Sequence, residues 1–231
     1  MFFAERIKGI KPGDKVLDIG PGSDPHPRAD VLLELNVDAE TLAAQRGYTS
    51  ELKTDKKVVY YDGGEFPFAD QEFDYTICSH VLEHVPNLEQ FMGELFRVAP
   101  RGYVEYPLAY YDYLYNIDEH LNLLKFDSRH NTLVCLTKSQ TNLNDFKPIQ
   151  DFLLDSLRKG YDSLVIDLKP WLFEGFEWHK PFKLKRANDL VEVLPEGVKL
   201  PKKTFDHSAM SPAGAGDMEP ANWLAKFLGG R

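Results

Sequence analysis

Val16-Leu17-Asp18-Ile19-Gly20-Pro21-Gly22-Ser23 is an apolar run that ends in two glycines, with a carboxylate two residues before the first of them. Glycines there let the backbone turn sharply and approach a ligand, as at the first strand-to-helix turn of a nucleotide-binding α/β sheet. Charge then chooses among ligands. A dinucleotide site wants a third glycine where Pro25 stands, so that backbone amides can cradle a pyrophosphate. Asp18 repels a pyrophosphate and attracts a cation. The turn suits an adenosyl ligand with a positive end, and S-adenosylmethionine (SAM), which has an ammonium, a sulfonium and no phosphate, is such a ligand.

The rest of the first half alternates. Residues 15–20, Asp30 to Leu35, Lys57 to Asp62, Phe73 to Ser79 and Gly102 to Tyr106 read as strands. Ala39 to Arg46 reads as a short helix capped by Gly47, and Val81 to Phe96 carries Leu82, Val85, Leu88, Phe91 and Leu95 at helical spacing. Segment 23–28 holds two prolines and has no room for a long helix. This predicts an α/β fold, a Rossmann-like, doubly wound, mostly parallel sheet with helices on both faces.

Beyond Pro107 the pattern loosens. A helix is predicted over Ile117 to Phe126, a strand over Thr132 to Thr137, an amphipathic helix from Ile149 to Lys159 stopped by Gly160, and a strand over Phe176 to Leu184. Residues 1–200 read as one domain, with 14–107 as its cofactor-binding half and 108–200 as a substrate-covering half. Residues 201–231 read as a Gly-, Pro-, Ala- and Ser-rich tail with a short apolar segment at Trp223, Leu224, Phe227 and Leu228.

With 43% hydrophobic residues in 231, the chain can bury a sizeable core. A formal net charge of −9 argues against nucleic acid or an anionic membrane as partner. No apolar run reaches the length of a signal peptide or a spanning helix, so no membrane insertion and a cytoplasmic location are expected. Cys78 and Cys135 sit in apolar runs and are expected as buried free thiols. A small molecule is the expected partner, and a homo-oligomer is left open.

Three stretches in order, Val16 to Gly22, Phe66-Pro67-Phe68-Ala69-Asp70-Gln71-Glu72-Phe73-Asp74 and Ser79-His80-Val81-Leu82-Glu83-His84-Val85, resemble class I SAM-dependent methyltransferases. The likeness is to the broad group with a PF-x-D-x-x-FD … HVLEH signature and covers roughly residues 14–107. It implies SAM as cofactor, with Asp18, Gly20 and Gly22 around its methionine end. It also implies Glu34, or failing that Asp38, on the ribose hydroxyls. Asp62 would take the adenine amine, with Gly63 leaving space for the ring, Phe66 as an apolar wall and Ser79 lining the site.

The resemblance further implies methyl transfer to a small-molecule nucleophile, most simply a hydroxyl of a sugar or small metabolite. A hydroxyl gains from a general base, and His80 at the end of the fourth strand and His120 in Asp118-Glu119-His120 are the candidates. Tyr106, Tyr110 and Tyr111 are the candidate substrate contacts. A non-catalytic SAM-binding scaffold and an NAD-dependent oxidoreductase are the alternatives, the second disfavoured by Pro25 and Asp18. His80-Val81-Leu82-Glu83-His84 also fits the HxxEH zinc pattern. It falls at a strand-to-helix junction, is followed closely by Pro86, and has no evident third ligand, so no metal is expected and His84 reads as structural.

Overall fold

The computed structural model describes residues 1–37, 52, 54–160 and 163–195. The expected helix at 39–46, Gly47, Asp38 and the apolar residues at 223–228 lie outside the described residues. The chain divides into two units, 1–196 and 197–231, and the second lies wholly outside them.

Five parallel strands build the main sheet: β1 (Val16–Ile19), β2 (Val31–Leu35), β3 (Lys57–Tyr61), β4 (Tyr75–Ser79) and β5 (Gly102–Pro107). Their order is β3-β2-β1-β4-β5, and β8 (Phe173–Trp178) adds an antiparallel edge beside β5. All residues of β1 and β5 are buried, the near-continuous burial of strands covered on both faces. From β1 the chain steps outward to β2 and β3, then returns to β4 on the other flank. The crevice beyond the carboxyl ends of β1 and β4 is therefore the switch point at which open α/β sheets bind ligands.

Among the described residues, one long helix bridges two parallel strands: α1 (Leu88–Val98), between β4 and β5. The helix expected from Val81 is broken. Leu82–His84 form a single 3-10 turn, Val85 is extended before Pro86, and α1 starts afresh under an Asn87 cap whose side chain accepts from the Gln90 amide at 3.2 Å. Proline explains the break, since it disfavours helical backbone in the residue before it. The break leaves His80 to His84 on a tight turn rather than on a helix face.

The later half differs more. Residues expected as helix over 117–126 instead end in a strand, β6 (Asn122–Asp127), paired antiparallel with β7 (Thr132–Thr137). A short apolar run does not distinguish a buried strand from a buried helix. Here the hairpin turn decides: Asp127 accepts from the Arg129 and His130 amides, and Asn131 takes φ +49°. The run Phe176 to Leu184 is two strands, because β8 ends at Trp178 and, beyond Pro181, β9 (Lys183–Arg186) joins β6 and β7 in a second sheet.

Four helices complete the described part: α2 (Ala109–Tyr115), α3 (Lys147–Arg158), α4 (Ser163–Asp167) and α5 (Lys169–Leu172). Gly160, at φ +90°, follows α3 as expected. Cys78 and Cys135 are buried free thiols. No described helix is long and apolar enough to cross a membrane.

Candidate functional site

Asp18, Glu34 and Asp62 stand at or just beyond the carboxyl ends of β1, β2 and β3, three adjacent strands of one sheet. Asp18 is 3% exposed and accepts a hydrogen bond from the His26 amide at 2.8 Å. Burial pushes its carboxyl up to about 7, against the downward pull of that amide. Glu34 is buried and accepts from the Leu35 amide at 3.2 Å. Asp62 is exposed, with Oδ1 held by the Asn36 amide nitrogen at 2.8 Å.

Gly20 and Gly22 take φ +61° and +64°, the left-handed backbone expected of the turn. The Gly20 amide donates to the Leu33 carbonyl at 2.9 Å, which locks the turn onto β2. Gly63, at φ +86°, faces open space where a side chain would otherwise project. When ionised, these three carboxylates accept and do not donate, and a cation beside Asp18 favours its ionised form, so the set matches a ligand that offers an ammonium, a ribose diol and an exocyclic amine. The described residues fit SAM, and the same carboxylates would repel a pyrophosphate.

Phe66 departs from its expected place. It is 2% exposed and packs edge-on against Tyr61 and Phe91, so it belongs to the core under the site and walls no open space.

At the end of β4 the geometry is organised by a residue missed in the sequence, Glu105 on β5. Its buried carboxylate accepts from the amides of Phe2 (2.6 Å) and Phe3 (3.0 Å), the hydroxyls of Ser79 (3.2 Å) and Tyr103 (2.6 Å), and His80 Nε2 (3.1 Å). Burial pushes this carboxyl up, but the bonds from His80 and Tyr103 outweigh it and bring it down to about 2. A lone acid in an otherwise apolar strand, Tyr103-Val104-Glu105-Tyr106, was the available signal.

His80 is held at φ +58°, a conformation uncommon outside glycine. Its Nε2 meets Glu105 and its Nδ1 lies 3.3 Å from Glu83 Oε1. Burial lowers its pKa, but the two carboxylates more than reverse that and carry it up to about 9. Phe2 and Phe173 stack on each other at 4.0 Å and both meet the His80 ring edge-on. Neither ring nitrogen is left free to receive a proton, which counts against His80 as a base. Ser79 likewise spends its hydroxyl on Glu105.

His120 is reached by a different route from the one expected. Its neighbours Asp118 and Glu119 do not hold it. Asp112, on α2, does, with both carboxylate oxygens at 2.9–3.0 Å from Nδ1. Both groups are buried. The turn bearing Glu83 and His84 is clipped beneath it. The Leu121 amide donates to the Glu83 carbonyl at 2.7 Å, and the Asn122 side chain donates to the carbonyls of Leu82 (3.2 Å) and Val85 (2.7 Å). The His84 and His120 rings meet edge-on at 4.9 Å.

Of the three tyrosines, Tyr111 lies nearest this cluster, its ring 6.2 Å from that of His120 and 5.0 Å from that of Phe173. Tyr110 is half-buried in the apolar cluster around Tyr115 and Phe173. Tyr106 is fully buried and donates its hydroxyl to Glu174 at 2.8 Å, so it is a core residue rather than a substrate contact.

Parts of this chain are similar to known methyltransferases. A family described as "Methyltransferase domain" matches residues 17–104. Sterol 24-C-methyltransferase erg6 of Schizosaccharomyces pombe is 36% identical over 102 residues, 41% of this chain and 27% of that protein. Sterol methyltransferase-like 3 of Botryococcus braunii is 26% identical over 202 residues, 78% of this chain and 50% of that protein. Among solved structures, an S-adenosylmethionine-dependent methyltransferase from Mesorhizobium loti superposes with a TM-score of 0.38 at 13% identity, over 71% of this chain and 90% of that one. The chain thus spans about a quarter to a half of the length of the curated relatives it matches.

Proposed function

We infer that this chain, whose residues 17–104 match a methyltransferase domain, is a class I, SAM-dependent methyltransferase that transfers a methyl group to a small-molecule acceptor across the crevice beyond β1 and β4. SAM supplies an electrophilic methyl on a sulfonium. The observation that carries the reading is the row of three carboxylates at the ends of adjacent strands. Asp18 would meet the cationic methionine end, Glu34 the ribose hydroxyls and Asp62 the adenine amine, with Gly20, Gly22 and Gly63 supplying turn and space.

The acceptor side is assigned to His120 and its neighbours Tyr111 and Tyr110. Asp112 can only accept from Nδ1 of His120, which fixes the tautomer and leaves Nε2 as a lone pair. An imidazole so oriented can take a proton from an acceptor hydroxyl. His80, clasped by two carboxylates and set edge-on against the stacked Phe2 and Phe173 rings, serves as a positioning residue at the seam between the two sides. Transfer to carbon or oxygen depends chiefly on holding the nucleophile in line and keeping water out. A hydroxylated small metabolite remains the acceptor proposed here. The sterol methyltransferases among the relatives widen that class to apolar, ring-bearing molecules, for which the partly exposed rings of Phe2 and Tyr111 are suited.

Calorimetric titration with SAM and with NAD tests this. SAM should bind and NAD should not, and binding of NAD alone would overturn the assignment. Asp62→Ala should weaken SAM by about 1–3 kcal/mol, the cost of leaving a ligand donor unpaired.

A further inference from the structure

Glu83, His84 and His120 each turn one potential metal-ligating atom toward the others, all within 4.8 Å. The polarity of these atoms can be worked out. His84 Nδ1 lies 3.0 Å from the Glu119 carbonyl, which only accepts, so Nδ1 carries the proton and Nε2 a lone pair. His120 Nδ1 donates to Asp112 in the same way, which leaves its Nε2 a lone pair too. The Glu83 carboxylate is buried, its Oε1 pairs with His80 Nδ1, and its Oε2 makes no hydrogen bond among the described residues. Its Oε1 has only imidazole neighbours, His80 Nδ1 at 3.3 Å and His84 Nε2 at 4.0 Å. Three acceptors, one of them charged and fully buried, therefore converge with no donor among the described residues to satisfy Oε2. His80 compensates the charge on the Oε1 side only, and leaving the buried Oε2 without a partner is costly.

We propose that Glu83, His84 and His120 form a binding site for one divalent transition ion of the zinc class. The inference rests on the reading of this region as the acceptor side for its role, though not for its chemistry, and it changes one part of that reading: with the ion bound, His120 Nε2 is a ligand and no longer takes a proton. Two imidazoles and a carboxylate select zinc or its first-row neighbours over magnesium or calcium, which want all-oxygen shells. Three protein ligands leave a position open for water or an acceptor oxygen. The supporting groups are already in place: Asp112 and the Glu119 carbonyl hold the two rings through Nδ1, the arrangement that orients histidines on metals. In a tetrahedral zinc site, ligands at about 2.0–2.2 Å from the ion stand about 3.4 Å apart, so closing the set needs side-chain shifts of about an ångström. The His84 side chain is 23% exposed and gives an entry path. The HxxEH segment thus contributes differently from the protease pattern. Its second histidine and its glutamate are the ligands, its first histidine is not, and the third ligand absent from the local sequence is His120.

The test uses the untagged full chain, stripped with a chelator and dialysed against zinc or cobalt(II). Metal content by mass spectrometry and the visible absorption of bound cobalt are read beside a SAM titration. The expected result is one ion per chain, lost in Glu83→Gln and His84→Ala, and unchanged in His130→Ala, whose exposed ring pairs only with Asp127. Asp112→Asn should weaken the metal about 10- to 100-fold while circular dichroism shows an intact fold. If the ligand variants fail to fold, the Asp112→Asn affinity and the cobalt spectrum of the unaltered chain still decide. No stoichiometric metal with SAM binding intact overturns the cation site and leaves the methyltransferase reading standing. One ion bound without SAM binding supports the site and overturns that reading.

Discussion

Replacing Asp18 by Asn should make the ligand-free protein more stable above neutral pH, although the same carboxylate is proposed to hold the cofactor. The folded carboxyl has its pKa raised from 3.8 to about 7, chiefly by burial. The protonated form therefore favours the fold. That contribution is complete below about pH 4 and is lost as pH rises through 7. A shift of about three units corresponds to about 4 kcal/mol in full, of which about 2–3 kcal/mol falls between pH 5 and pH 8. Asparagine keeps an acceptor for the His26 amide and never ionises, so the difference between the two proteins isolates Asp18. Thermal melts at pH 5 and pH 8 measure it. For a chain of this size 1 kcal/mol moves Tm by about 2–4 °C, so the variant's Tm should gain roughly 5–10 °C on the parent's between those two pH values. SAM affinity should fall in the variant at pH 8. A melting difference that stays constant from pH 5 to pH 8 would refute the burial argument.

Other substitutions follow from the same geometry. Glu105→Gln should destabilise the fold by about 3–5 kcal/mol, because removing the anion breaks a buried network, and hydrogen exchange should show the Phe2 and Phe3 amides losing protection. Unchanged protection would show that the carboxylate does not hold that segment. His120→Ala should leave SAM affinity nearly intact and lower turnover by about 10²- to 10⁴-fold on an identified acceptor, with Tyr111→Phe showing a smaller loss. Full turnover in His120→Ala would remove His120 from the chemistry. Gly20→Ala should cost about 1–2 kcal/mol in denaturant unfolding, since φ is +61° and the new Cβ would sit 2.7 Å from Val81. A neutral effect would mean the turn relaxes freely.

The cofactor half was legible because parallel strands announce themselves locally. β1, β2 and β3 came out within a residue or so of their expected limits, and the glycine turn has the backbone it was read to have. The acceptor side was not legible, and the reason is sequence distance. His120 was named with its sequence neighbours Asp118 and Glu119, but the carboxylate it meets is that of Asp112, on a helix that turns back through the left-handed Asn116, a reversal that spacing cannot reveal. His80 and Glu105 are 25 residues apart and meet only because β4 and β5 are neighbours in the sheet. Tyr106 and Phe66 were misplaced for the opposite reason, since an aromatic beside a site and an aromatic beneath it look alike in sequence. Pro86 was visible, but it served only to weigh against a zinc helix. Its stronger effect, breaking the helix into the turn that presents Glu83 and His84, emerged with the fold.

The contacts that finish the site also set when it can form. Phe2 reaches Glu105 across 103 residues, and the amides of Lys8 and Gly9 reach Glu177 across 169 and 168. Loops of that length close late, because their entropy is lost before any contact repays it. The β1 turn and its neighbouring strands can assemble from the first hundred residues. The aromatic cover over His80 must wait for Phe173 on β8. During synthesis residues 2–9 therefore leave the ribosome well before their partners on β8 and find their place only after them. Until then the carboxylate of Glu105 lacks two of its donors, and the crevice stands open on that flank.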